Sequence, residues 1–92
     1  SGAMYRAVTL YLLENKIDLN QEKRVIEALS YIHIRFELNK ANNRNETWLN
    51  GRMVEDIIRS KNVSDYVSPV AAIPAVRREM VALQRLSGLQ RG

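Results

Sequence analysis

Two arginines and two serines in this chain stand where side chains of their kind could hold an anion. Arg6 is the one strong charge in the first two turns of an apolar stretch that opens Ser1-Gly2-Ala3-Met4-Tyr5-Arg6. A small hydroxyl, a glycine and an arginine at the first turn of a helix suit a phosphate. Free backbone N–H groups, the positive end of the helix dipole and a guanidinium all meet there. The second segment runs Val67-Ser68-Pro69-Val70-Ala71-Ala72-Ile73-Pro74-Ala75-Val76-Arg77 and repeats the combination with Ser68 and Arg77. Taken singly, each segment reads as a helix cap beside a surface arginine. Other chemistries fall to the composition. With no cysteine, disulfide scaffolds, thiol catalysis and zinc knuckles are excluded. A single histidine, His33, leaves no His-rich metal site and no Ser/His/Asp triad. Only Glu55 and Asp56 are adjacent carboxylates, and the four glycines, at 2, 51, 88 and 92, form no phosphate loop followed by lysine. No catalytic residue and no metal ligand is assigned.

The elements that must position these residues follow from hydrophobic period. Met4, Tyr5, Val8, Tyr11 and Leu12 recur at helical spacing, and Ala7, Leu10 and Leu13 broaden the face. Asn20 is the expected cap of a second short helix that carries Val25, Ile26 and Leu29. The period then changes. Ile32, Ile34, Phe36 and Leu38 alternate with His33, Arg35 and Glu37, the pattern of a half-buried strand with His33 on its polar side. Glu46-Thr47-Trp48-Leu49 and Arg52-Met53-Val54 flank Asn50-Gly51, a strong hairpin signal because both turn residues tolerate positive φ.

Residues 32–54 therefore predict a three-stranded antiparallel meander covered by helices on one face, with Trp48 packing against Ile and Phe. Helix returns afterwards. Glu55 to Ser60 predicts a short helix, Asn62 the cap of another through Val67, and Ser68-Pro69 a further start. Pro74 opens the longest helix of this part, with Val76, Met80, Leu83 and Leu86 on its apolar face and a stop near Gly88. The fold class is α+β, a small three-stranded antiparallel sheet flanked by helices.

Jointly, the two segments resemble a known family. Ser-Gly-Ala-Met-Tyr-Arg-Ala-Val is similar to the segment after the second strand of bacterial cytidylate kinases, Asp-(Ser/Thr)-Gly-Ala-(Met/Ile)-Tyr-Arg. Val-Ser-Pro-Val-Ala-Ala-Ile-Pro-Ala-Val-Arg resembles that family's Ser-x-Val-Ala-x-x-Pro-x-Val-Arg. Leu-Asn-Gly-Arg-Met-Val-Glu-Asp-Ile-Ile-Arg is similar to its hairpin-then-helix pattern, in an insertion of three antiparallel strands. The likeness spans the 92 residues in order.

It implies the monophosphate-binding region of a P-loop α/β kinase, residues 1–92 forming one piece. The P-loop and its lysine, and the Asp-Gly-Arg-Asp motif, are expected in a longer enzyme. It implies that Arg6 holds the phosphate of CMP or dCMP, that Ser68 and Arg77 contact the cytosine ring, with Arg77 able to reach the phosphate, and that Ser1 and Gly2 line the acceptor site while Tyr5 packs beneath. ATP and Mg²⁺ belong to the parent enzyme, with their binding residues outside this chain, so the 92 residues alone are expected to be inactive.

Composition frames these expectations. Apolar residues are 46% and charged residues 26%, ordinary for a globular domain. The longest apolar run, Val70 to Val76, is interrupted by Pro74 and too short to span a membrane, and no secretion signal opens the chain, so a cytoplasmic location without a membrane partner is expected. The net charge of +4 gathers late, with five basic against two acidic residues in 61–92. That bias favours an anionic partner and sustains one alternative, a small basic nucleic-acid-binding or interaction module. Nucleic acid is disfavoured because the few aromatics are not interleaved with the basic residues. Self-association is expected if the piece exposes apolar surface that a longer enzyme covers.

Overall fold

The computed structural model of the chain describes residues 2–87, and their side chains through residue 82. Ser1 and the expected stop at Gly88 lie outside the described residues, as do the side chains of Leu83, Arg85 and Leu86. The elements run α1 (Gly2–Glu14), α2 (Glu22–Leu29), β1 (Ile34–Asn39), β2 (Arg44–Leu49), β3 (Arg52–Met53), a 3₁₀ turn (Ile57–Arg59), α3 (Lys61–Ala71) and α4 (Pro74–Ser87). This is the α+β arrangement that the change of period predicts.

α1 is the centre of the molecule. Met4, Ala7, Val8, Thr9, Leu10 and Leu12 are all buried, because α3, α2, β2 and the 3₁₀ turn each pack on it. Thr9 is tolerated there because its hydroxyl donates to the Tyr5 carbonyl at 2.8 Å, so no polar atom of the side chain is stranded. The helix ends in a Schellman motif. Lys16 takes a left-handed φ of 53°, and the N–H groups of Lys16 and Ile17 return to the carbonyls of Leu13 and Leu12. Val25, Ala28 and Leu29 of α2, Val63 and Val70 of α3, and Val76 and Met80 of α4 complete the core with Ile32, Leu49, Val54 and Ile58.

The sheet is a meander in the order β1-β2-β3, all antiparallel. Asn50 and Gly51 both have positive φ, 49° and 80°, as a type I′ hairpin turn requires. Asn50 also ties the hairpin to the start of β1: its N–H donates to the His33 carbonyl, and its Oδ1 accepts from the His33 N–H, each at 2.8 Å. The register sets Ile34 opposite Leu49 and Phe36 opposite Thr47 on one face, and Arg35 opposite Trp48 on the other.

The structure corrects several expectations, on the strands and at the helix ends. Trp48 lies on the face away from Ile34 and Phe36, with the Arg35 guanidinium 4.5 Å over its ring and its Nε1–H donating to Glu46. Phe36 and Leu38 are 46% and 52% exposed, because β1 packs mainly on β2 rather than on the helices. The cap of α2 is Gln21, while Asn20 sits in the preceding turn over the Asp18 carboxylate. Ser60, not Asn62, caps α3, accepting the Val63 N–H, and the helix runs unbroken through Ser68 and Pro69. Proline there forfeits one hydrogen bond near the helix end, and burial of Val70 beyond it keeps the last turn in place. The helix expected over Glu55–Ser60 shrinks to the single 3₁₀ turn.

Candidate functional site

Arg6 stands on the second turn of α1, half-buried, facing α3 and the 3₁₀ turn. Its NH1 donates to the Ile58 carbonyl at 3.0 Å and to Ser64 Oγ at 2.7 Å. Both acceptors are neutral, and no ion pair to Arg6 forms among the described residues. By contrast Arg35, Arg44, Arg52, Arg59 and Lys61 pair with Glu37, Asp56, Glu14, Glu55 and Asp65. A partly buried guanidinium without a carboxylate partner is a standing attraction for an anion, since burial costs a charge its hydration and neutral acceptors restore only part of it. Among the described arginines, Arg6 is the half-buried one; the others are exposed.

The other predicted residues are spread over the neighbouring helices. Gly2 is the first residue of α1, exposed, with nothing that a Cβ would meet within 4 Å. Tyr5 is half-buried against the core, a packing position. Ser68 is exposed on α3, one helical turn beyond Ser64 and on the same face, so it lies about 6 Å along the helix from the anchor of Arg6. Arg77 is exposed on the first turn of α4, where its N–H bonds the Ile73 carbonyl. Pro74 opens α4 as expected. Thus Arg6 and Ser68 are brought to one side of α3, and Arg77 follows the corner from α3 into α4.

Sequence reasoning passed over Glu55. Its carboxylate is buried yet fully engaged: Thr47 Oγ1 donates to Oε1 and Arg59 Nε to Oε2, each at 2.8 Å. Burial pushes its pKa up, but the hydrogen bonds from Thr47 and Arg59 and the charges of Arg59 and Arg44 outweigh that and hold the carboxyl below its ordinary value. The adjacent Glu55-Asp56 pair was the visible signal, and the fold splits it, with Asp56 exposed to meet Arg44. Glu55 fastens β2 to the 3₁₀ turn whose Ile58 carbonyl receives Arg6. It also borders an open groove of about 380 Å³ with Ala3, Phe36, Leu38, Asn45 and Arg59. Arg6, Ser68 and Arg77 do not line that groove.

The arrangement offers anion binding, with hydroxyl and guanidinium donors on adjacent helices. Comparison with known proteins points the same way. A family profile described as cytidylate kinase matches residues 1–91. The cytidylate kinase of Cytophaga hutchinsonii is 48% identical over 92 residues, covering all of this chain and 39% of that protein. The cytidylate kinase of Bacteroides thetaiotaomicron is 46% identical over 95 residues, covering all of the chain and 42% of that protein. A bifunctional pantoate ligase/cytidylate kinase of Thermosynechococcus vestitus is 41% identical over 92 residues, 18% of its length. The chain spans about two-fifths of the length of the first two relatives.

Proposed function

The chain belongs to the cytidylate kinase family, and from that premise we propose that it is the monophosphate-binding part of a nucleoside monophosphate kinase that transfers the γ-phosphoryl group of ATP to CMP or dCMP. The observation that carries this reading is Arg6, a half-buried cation held by two neutral acceptors beside the start of α1. Arg6 holds the nucleotide phosphate, a bidentate task suited to a planar guanidinium. Ser68 and Arg77 read the cytosine edge, Arg77 also reaching the phosphate, and Ser1 and Gly2 line the acceptor site.

In phosphoryl transfer the protein does little covalent chemistry, so what these residues contribute is position and positive charge. Among the described residues no three His, Cys, Asp or Glu side chains gather to hold a metal ion, and the sequence contains no glycine-rich phosphate loop. These residues do not fit Mg²⁺ or the ATP triphosphate, and no step through either is assigned to them. A cytoplasmic location fits the reading, and no helix among the described residues is long and apolar enough to cross a membrane.

The test is a titration of CMP, other nucleoside monophosphates and duplex DNA at two salt concentrations. A built pocket prefers CMP, and the preference survives salt. Binding of DNA that collapses steeply with salt, with no preference among monophosphates, would instead support the basic-module reading.

A further inference from the structure

The amino group NH1 of Arg6 carries two hydrogens, and the structure supplies two acceptors for them, the Ile58 carbonyl at 3.0 Å and Ser64 Oγ at 2.7 Å. A guanidinium takes an oxyanion through two parallel N–H bonds, either end-on through NH1 and NH2 or side-on through Nε and NH2. With both NH1 hydrogens engaged, the end-on mode is closed. The Nε–NH2 edge makes no hydrogen bond to any described residue.

Each acceptor is itself fixed. Ile58 is wholly buried in the 3₁₀ turn, and Ser64 sits in the first turn of α3, its N–H bonded to the carbonyl of the capping Ser60 at 2.9 Å. One acceptor alone would leave the guanidinium free to pivot about a single hydrogen bond. Two acceptors on separate elements fix its plane.

Resting on the reading of Arg6 as the phosphate-holding residue, we propose that Ser64 is a positioning residue: its hydroxyl, with the Ile58 carbonyl, orients Arg6 so that the Nε–NH2 edge takes the nucleotide phosphate side-on. Ser64 acts through Arg6 and touches no part of the nucleotide. Its contribution is therefore confined to ligands that carry the phosphate. The charge of Arg6 does not depend on it, and because Ser64 is exposed on α3, alanine there, a strong helix former, keeps the backbone in the helix.

The experiment measures CMP and cytidine affinities by calorimetry and NMR titration, in the whole polypeptide that carries these residues. Ser64→Ala should raise the Kd for CMP about threefold to tenfold, the loss of one aligned hydrogen bond. It should leave cytidine, which lacks the phosphate, unchanged. Ser64→Thr, which keeps the hydroxyl, should restore CMP affinity, and in an Arg6→Ala background Ser64→Ala should add nothing. The proposal is overturned if Ser64→Ala leaves CMP affinity intact while Arg6→Ala lowers it. An equal weakening of CMP and cytidine, or an effect that persists undiminished without Arg6, overturns it too. If Arg6→Ala itself leaves CMP affinity untouched, the reading of Arg6 fails and this proposal fails with it.

Discussion

Replacing Glu55 by glutamine isolates the charge that fastens the sheet to the site's supporting turn. The residue is 6% exposed, and its two oxygens receive Thr47 Oγ1 and Arg59 Nε, both at 2.8 Å. Glutamine keeps one acceptor, enough for Thr47, but turns an amide N–H₂ toward the Arg59 donor. One charge-assisted hydrogen bond is lost, worth about 1.5–3 kcal/mol where both partners are buried. The Arg59 side chain is 59% exposed, and water takes over part of its solvation, so a loss of about 1–2 kcal/mol is expected. For a domain of this size that corresponds to a fall in Tm of about 5–15 °C at neutral pH.

The pH dependence has a definite sign. The folded carboxyl has a pKa below its ordinary value of 4.5, so its stabilisation is complete above the unfolded pKa and fades as pH falls through the lower folded pKa. Thermal unfolding followed by circular dichroism should therefore show the gap between the parent protein and Glu55→Gln closing on acidification below about pH 4.5. A gap that is absent at pH 7, or that widens in acid, would refute the assignment of Glu55 as a buried, ionised tie.

Three further outcomes are expected. Arg6→Ala should lower kcat/KM of the complete enzyme about tenfold to a few hundredfold, by the same factor for CMP and UMP, since the phosphate is common to both. A base-selective loss would count against its role. Ser68→Ala should narrow the discrimination between CMP and UMP almost alone, and Arg77→Ala should combine that with weaker phosphate binding, because a site built to hydrogen-bond one base edge rejects others by leaving its own groups unpaired. The same two-base kinetics checks both, and a base-neutral Ser68→Ala would remove the serine from the site. Lys16→Gly should stabilise the fold by about 1 kcal/mol, seen as a raised urea midpoint, because Lys16 holds a left-handed φ of 53° that glycine adopts without strain. A lowered midpoint would show that its side chain matters more than its backbone.

Much of this protein is legible in short stretches of its sequence. The alternation from Ile32 to Leu38 produces a strand, and Asn50-Gly51 produces the turn, because side-chain period and tolerance of positive φ are local properties. Pro74 marks the start of α4 for an equally local reason, the lack of an N–H that the first helical turn does not need. Arg6 is conspicuous because charge amid apolar neighbours shows in a window of a few residues. The two quoted segments carry the family resemblance for the same reason: each is contiguous in the sequence.

What a side chain faces is another matter, since that depends on elements far along the chain. Glu46-Thr47-Trp48-Leu49 alternates equally well with either parity inward. Only the register against β1 and the packing of β2 on α1 bury Thr47 and Leu49 and leave Trp48 beneath Arg35. Ser60 and Asn62 are both competent caps, and it is the path of the chain out of the 3₁₀ turn that places Ser60 to receive Val63. The Glu55-Asp56 pair is visible in the sequence, but not that Glu55 is its buried member: Arg59 lies only four residues on, while Thr47 reaches Glu55 across the β2-β3 hairpin. The partners of Arg6, 52 and 58 residues away, are set by the docking of α1 against α3. Local chemistry chose the residue that could hold an anion; the tertiary contacts decided which edge of it is free to do so.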